Sequence, residues 1–309
     1  MKGCNCTSGL GNTGVANCVP LQSVTSKLVL VPLRKSDGTL NYIDLTANFI
    51  KWNGTAYADA QSICELADAS VRWFPLPNFE NVEMPKEDSL FEEASSGRKV
   101  FLRSGKRGFM GELWADDSSP ALLKEIQNAR CVDFGVYIVD VNGSLVGLRS
   151  EDSTKLYPIK VDNASWDAQM VFATDTTIQK IKVSFDFDRN IDEGLLYMVT
   201  DDENTGTSFL SLEGLQAVTI ANTSLVAGTT IVVDVTGSYG TAYTPQKITG
   251  LTILDFTVFK NGASQSITTV TEGVAGAYTI TIPAFISGAS LEVNVLGNGY
   301  TGLLTKVVA

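Results

Sequence analysis

Between residues 180 and 188 the chain alternates strictly, with Ile181, Val183, Phe185 and Phe187 set between Lys180, Lys182, Ser184, Asp186 and Asp188. That spacing puts four apolar side chains on one face of an extended strand, so the segment buries itself as one layer of a sheet with a wet side. Residues 166–172 repeat it with Trp166, Ala168, Met170 and Phe172. The runs 28–33 and 136–139 are continuously apolar but far too short to span a bilayer. Turn chemistry supplies the corners. Asn142-Gly143 predicts a hairpin joining 136–141 to 144–146, and Ser36-Asp37-Gly38-Thr39 predicts another over 27–45, pairing 28–31 with 42–43. A short strand at 71–74 is halted by Pro75 and Pro77. Two helices are expected: 56–67 from its helix formers, and 120–129 with Ser119 as N-cap and Pro120 at the first helical position.

Composition then divides the chain. All five cysteines, all four tryptophans and nearly all the charge precede residue 203, whereas residues 206–309 are rich in Thr, Val, Gly and Ser and hold eight charged residues. The polar, acidic stretch 200–206 reads as a linker. The expected organisation is an N-terminal arm at 1–26, a β domain at 27–205 and a second β domain at 206–309. In the last, strand signals at 215–220, 230–235, 251–259, 278–282 and 291–295, separated by turns at 260–263 and 273–276, predict a small antiparallel sandwich. It has an immunoglobulin-like architecture without that domain's cysteine pair or tryptophan. The fold class is therefore mainly β, with one or two flanking helices.

The chain contains no histidine. This excludes Ser-His-Asp and Cys-His triads, HExxH zinc sites and imidazole proton shuttles. No catalytic, cofactor-binding or metal site is assigned. Cys4, Cys6 and Cys18 could hold a metal with Cys64 or Cys131, but the pair Cys4-Asn5-Cys6 is tighter than paired zinc thiolates prefer, and a mobile arm with inert thiols is the expected reading. The glycines at 9, 11 and 14 are neither preceded by a strand nor followed by a helix, so they do not form a dinucleotide fingerprint. Acidic clusters at Asp186, Asp188, Asp192 and Glu193, and at Asp201, Asp202 and Glu203, match no EF-hand spacing. Ser118 and Ser119 are expected to cap a helix rather than to act as nucleophiles. Residues 1–4 open no apolar signal segment, the cysteine number is odd, and the expectation is a protein made and folded in cytoplasm. A net charge of −11 repels phosphate and suits a surface along which nucleic acid slides without sticking.

One charge pattern points to a contact. Glu80, Glu83, Glu87, Asp88, Glu92 and Glu93 stand against a single Lys86, and Arg98, Lys99, Arg103, Lys106 and Arg107 follow with no acid among them. The acidic half reads as a long loop on a β scaffold, and loops of that length are functional or disordered. It either folds back on its own basic strand or meets the basic strand of the next copy. Head-to-tail contacts of the second kind build rings and filaments.

The order of parts resembles the major tail (tail tube) proteins of tailed bacteriophages: a Gly/Asn-rich arm, a hairpin, a long charged loop, the helix after Ser119, the Asn142-Gly143 hairpin, alternating strands and a small terminal sandwich. Several of those proteins end in an immunoglobulin-like domain. The resemblance implies a sandwich or barrel that self-assembles into stacked hexameric rings, with an inner sheet continuous across subunits. DNA would pass through the lumen without specific binding. The arm and long loop would touch neighbouring rings and other phage tail proteins. The terminal domain would face outward and touch host-surface glycans weakly, with no membrane insertion. The location implied is the virion tail, assembled in the host bacterial cytoplasm. The alternatives are another virion component (tail completion, connector or baseplate), or a carbohydrate-binding or adhesive module in which Trp52, Trp73 or Trp166 stacks on sugars. An enzyme is the remaining class: carboxylate-pair, lysine or thiolate chemistry needs no histidine, and carboxylate-pair glycoside hydrolysis is the one that can be sketched here, with no specific pair chosen.

Overall fold

Period-two patterning makes strands, and the computed structural model, which describes residues 22–46, 50–200, 208–224, 227–237 and 245–308, is mainly β. The chain divides into two compact units, Met1–Gly214 and Leu215–Ala309.

The strands of the first unit are β1 (Thr25–Pro32), β2 (Ile43–Asp44), β3 (Lys51–Trp52), β4 (Thr55–Ala56), β5 (Phe74–Pro75), β6 (Glu80–Glu83), β7 (Leu90–Glu93) and β8 (Lys99–Arg103). They continue with β9 (Gly108–Trp114), β10 (Phe134–Asp140), β11 (Leu145–Arg149), β12 (Lys155–Tyr157), β13 (Ile159–Lys160), β14 (Asp167–Val171), β15 (Lys180–Asp186) and β16 (Leu196–Val199). The helices are α1 (Gln61–Cys64) and α2 (Pro120–Asn128). Among the described residues a ten-stranded sheet runs β4-β3-β2-β12-β11-β10-β1-β5, with β13 also on β10 and β16 also on β11. A second sheet runs β14-β15-β9-β6, and β7 pairs with β8 alone.

Strands β1 and β10 lie at the centre of the large sheet because their sequence leaves them nowhere else to go. Leu28, Leu30, Val136 and Ile138 pack against Phe109, Leu113, Ile181, Val183 and Phe185 of the second sheet and Ile126 of α2. On the opposite face Val29, Val31, Tyr137 and Val139 pack against Trp52, Ile63, Trp73, Phe209 and Leu212. A strand covered on both sides must be apolar at consecutive positions, which explains the runs 28–33 and 136–139. The alternating strand β15 has one covered face, as its spacing requires.

The Ser119 side chain accepts the Leu122 N–H at 3.2 Å and Pro120 opens α2. The hairpin between β10 and β11 turns at Gly143, whose φ of +81° a side chain would strain. Asp140 secures that turn by accepting the N–H groups of Asn142 and Ser144 at 2.9 and 2.8 Å.

Several expectations need correction. The tight turn at 36–39 forms, with Lys35 N–H on Thr39 O at 2.8 Å, but β1 and β2 do not pair. The two-sided apolar strand β1 takes β10 and β5 as partners instead. The helix expected at 56–67 is the single turn α1. Asn53-Gly54 forms a hairpin turn before it, Asp59 accepts the N–H of Ser62, and Trp73 N–H and the Arg72 guanidinium take the carbonyls of Ile63, Leu66 and Ala67. The stretch 80–93 is not an unstructured loop but contributes β6 and β7. The unit boundary falls at Gly214 rather than at 205, because Phe209 and Leu212 are each 1% exposed and belong to the first unit's core. Of the expected N-terminal arm, residues 1–21 lie outside the described residues, and β1 begins within its remainder at Thr25.

The second unit contains β17 (Gln216–Ser224), β18 (Gly228–Gly237), β19 (Gln246–Lys247), β20 (Phe256–Lys260), β21 (Ala263–Gln265), β22 (Thr269–Glu272), β23 (Ala277–Phe285), β24 (Ser290–Gly297) and β25 (Tyr300–Val307). One layer is ordered β17-β18-β23-β22 and the other β21-β20-β24-β25. They join where Gln216 and Ala217 pair in parallel with Tyr300 and Thr301. Ile231, Val233 and Val235 of β18 alternate inward against Tyr278, Ile280 and Ile282 of β23 and Leu291, Val293 and Val295 of β24. The strand expected at 251–259 begins only at Phe256. Thr252 and Asp255 form a reciprocal capping pair around a 3₁₀ turn just before it.

Candidate assembly arm

Strands β6 and β9 leave the second sheet together and continue outward as a ribbon. Gly108 N–H donates to Pro85 O at 2.8 Å, Lys86 bridges Arg107, and Glu87 N–H donates to Lys106 O at 2.8 Å. Beyond that point β7 and β8 pair in the register Leu90↔Arg103, Phe91↔Phe101, Glu92↔Val100 and Glu93↔Lys99. A turn closes the ribbon, with Ala94 N–H on Arg98 O at 2.9 Å and Gly97 at φ +79°. Every residue of β7 and β8 is exposed. Leu90, Phe91, Val100, Phe101 and Leu102 are each 46–55% exposed, and the two phenylalanine rings meet edge to face at 5.7 Å. A two-stranded ribbon with no covering layer is marginal in water, and five large apolar side chains on it are an unburied surface.

The base of the ribbon is clamped. Lys106 Nζ reaches Asp186 at 2.9 Å and Asp162 at 3.4 Å. Glu193, at the start of a short turn, takes Lys86 at 2.7 Å and Arg107 at 3.0 Å. Hydrogen bonds from Lys86 and Arg107 hold the Glu193 carboxyl below the usual carboxylate range, and the bond to Asp186 raises the Lys106 ammonium. Gly105 completes the pinch. A Cβ there would stand 1.8 Å from the Glu87 carbonyl oxygen, so the strands meet this closely only with glycine.

These contacts distribute the charged residues read from the sequence. Lys106 and Arg107 are engaged with Asp162, Asp186 and Glu193, outside the acidic stretch altogether. Within the arm only Glu93 and Lys99 form an ion pair, at 3.8 Å and largely exposed. Glu80 and Glu83 lie on β6 opposite Glu112 and Met110. Glu87, Asp88, Glu92, Arg98 and Arg103 make no ion pair among the described residues. Charge therefore fixes the base, while the tip offers apolar surface. Sequence reasoning missed Leu90, Phe91, Val100, Phe101 and Leu102 because the segment was read by its charges. The signal was present as apolar pairs flanking Ser95-Ser96-Gly97.

On the second sheet beside the base, Glu112 accepts Lys180 Nζ at 2.7 Å, Trp114 Nε1 at 3.0 Å and Asn81 Nδ2 at 2.9 Å. Burial alone would raise this carboxyl, but the three donors together hold it at about 2. A group depressed from an ordinary 4.5 contributes stability that is complete above pH 4.5 and lost as pH falls toward 2. The Glu112→Gln variant should unfold about 1–2 kcal/mol more easily than wild type at pH 6, after allowance for solvent screening. Denaturant titrations at pH 6 and pH 2 should show that gap closing. An equal gap at both values contradicts the assignment.

The remaining candidates do not form sites. Trp52, Trp73 and Trp166 are 1%, 1% and 2% exposed, so stacking on sugars is corrected to core packing. Asp188 pairs with Lys160 at 3.2 Å and Asp192 caps Gly194 N–H at 2.8 Å, which accounts for the first acidic cluster. Asp201, Asp202 and Glu203 lie outside the described residues, as do Cys4, Cys6, Cys18 and the glycines at 9–14. Burial pushes the Cys64 thiol up to about 12, and Cys131 is exposed. Among the described residues no group of three or more Cys, Asp or Glu is placed to hold a metal ion, and no helix is long and apolar enough to cross a membrane.

No family model and no curated protein matches the chain. Among solved structures it is similar to the full ectodomain (Ig1–Ig3) of mouse nectin-like molecule 4, at 10% identity over 93% of this chain and 95% of that one. The TM-score of 0.18 is too low for this likeness to carry any argument about fold or function.

Proposed function

We propose that this chain is a virion structural protein, a tail-tube subunit that self-assembles head to tail into stacked hexameric rings. One observation carries the reading: the β7–β8 arm holds five large apolar side chains clear of any covering layer, on a base fixed by ion pairs. A rigid base with an apolar tip is what a contact with another copy requires, and a patch on one surface seated at a different surface propagates rings or filaments. The first unit is read as a tube-type sandwich or barrel. The second is read as an outward immunoglobulin-like domain, a reading supported by its layers β17-β18-β23-β22 and β21-β20-β24-β25. A net charge of −11 suits a lumen that passes DNA without binding it. Other phage tail proteins are the expected further partners, and weak contact with host-surface glycans is assigned to the second unit. No catalysis is part of this function.

Negative-stain electron microscopy and sedimentation of the purified full chain test the reading. Rings or tubes of uniform diameter are expected at raised concentration. Single rings that never stack would move the assignment to a connector or baseplate component. Monomers at every concentration would remove self-assembly from the protein's function.

A further inference from the structure

Residues 208–214 sit in the first unit the way a bound peptide sits in a receptor. After a 3₁₀ turn at Phe209–Ser211, the side chains of Phe209 and Leu212 are each 1% exposed, three residues apart, with the Phe209 ring 6.4 Å from Trp73. Lys27 of β1 donates from Nζ to the carbonyls of Leu210 at 2.7 Å and Leu212 at 2.6 Å. The Gln61 carboxamide reads the backbone of Glu213 in both senses, accepting its N–H at 3.0 Å and donating to its carbonyl at 3.1 Å. Apolar anchors at a fixed interval, with the main chain held by side chains, are how grooves recognise short segments.

The seat is unusual for a core in being floored by an ammonium. Lys27 is 6% exposed, and the carboxylates that attract it, Glu213 of the segment itself and Asp117, do so from beyond ion-pair distance. A buried charge met by carbonyls and by carboxylates only at a distance stabilises a fold poorly compared with an apolar side chain of similar volume. Vacating the seat returns that ammonium to water, which partly offsets the cost of uncovering Trp73 and its neighbours. An apolar side chain at position 27 would hold the strap more tightly.

We propose that residues 208–214 are an exchangeable strap, and that the seat formed by Lys27, Gln61 and Trp73 takes this segment from a second copy of the chain as well as from its own. The contacts are the same in either case, so tether and local concentration decide which strap is held. A short tether holds a segment near its own seat at about millimolar effective concentration. Crowded copies compete at that level. A vacated seat exposes aromatic surface and does not stay empty. The inference stands apart from the tail-tube reading and holds for copies brought together by any means.

A site-specific protease sequence inserted between Glu203 and Asn204 of the full chain allows the test. Cut light and isotopically heavy proteins are mixed and followed by native mass spectrometry. The cut halves should stay associated, and hybrids of light and heavy halves should approach about half of all complexes, the statistical limit. Halves that separate on cutting, or associated halves that form no hybrids over days, would overturn the proposal. With Phe209→Ala in the heavy protein alone, and the mixture diluted below the dissociation constant of the altered strap, hybrids carrying that strap should fall by about a hundredfold. Their persistence at full yield would show that Phe209 does not anchor the strap. Lys27→Met should slow hybrid formation about tenfold, and exchange as fast as wild type would remove the role given to the ammonium. The Phe209 comparison decides the matter even if the Lys27 variant fails to fold, because its receiving seat is unaltered.

Discussion

Serine in place of both Phe91 and Phe101 should abolish ordered assembly while leaving the unfolding midpoint of the monomer unchanged. The two rings are 52% and 55% exposed in the isolated chain, where they contact little beyond each other. Surface changes away from caps and cores move stability by about 0.5 kcal/mol or less. In a contact that covers the arm, each ring would contribute about 1.5–3 kcal/mol of burial, so losing both weakens every contact by a factor on the order of a hundred to ten thousand. Salt separates this from a charge-driven contact. Raised sodium chloride should leave an apolar contact intact, whereas exposed ion pairs are screened over about 8 Å at physiological ionic strength. Glu87, Asp88 and Glu92 changed together to Lys should therefore assemble nearly as wild type does, with slower growth. If the serine variant assembles normally and the charge-reversed one does not, the arm contact is electrostatic, as the sequence alone suggests.

The two readings of the arm differ for a physical reason. Charges are conspicuous in sequence, but which partner neutralises each depends on strands far away. Lys106 and Arg107 follow the acidic stretch closely, yet their partners are Asp162, Asp186 and Glu193, contributed by the neighbourhood of β15 and the turn after it. No local rule links those positions. Apolar alternation is local, which is why β15, the hairpin between β10 and β11 and most of β14 were legible, although Phe172 is 79% exposed, while the partners of β1 were not. A strand whose residues are apolar on both sides states that it is central, but not between which neighbours. The failure at 56–67 is similar. Helix propensity there is real but weak, and it yields to the carbonyl hydrogen bonds supplied by Arg72 and Trp73. Residues 208–214 belong to the first unit although the composition shift falls before them, because Ser208, Ser211 and Gly214 around Phe209, Leu210 and Leu212 match the composition of the second unit. Only the seat beneath Trp73 shows why Phe209 and Leu212 are apolar.

Trp166→Ala should be the most destabilising single change in the first unit and should leave the second unit untouched. Trp166 is 2% exposed and lies between layers: its ring meets Phe134 edge to face at 5.0 Å and stacks on Phe185 at 5.1 Å. Its indole N–H donates to the carbonyl of Ile126 at 2.8 Å, tying α2 to the sheet core. Truncation removes all three contacts and opens a cavity that the packed rings of Phe109 and Phe185, which stack, and Phe187, which meets Phe185 edge to face, cannot readily fill. The expected cost is about 3–5 kcal/mol, although the Ile126 carbonyl keeps the Ala129 N–H when the indole donor is lost. For a unit of this size that corresponds to a fall of about 6–20 °C in its unfolding midpoint. The core of the second unit, around Val233, Val258, Ile280 and Val293, shares no residue with this one. Scanning calorimetry should therefore resolve two transitions in the variant, one lowered and one at its wild-type temperature. Phe in place of Trp166 keeps most of the ring contact and loses the hydrogen bond, so it should recover more than half of the loss. A single transition that moves as a whole would mean that the two units unfold as one cooperative body. A fall of less than about 1 kcal/mol would mean that the aromatic layer is looser than close packing implies.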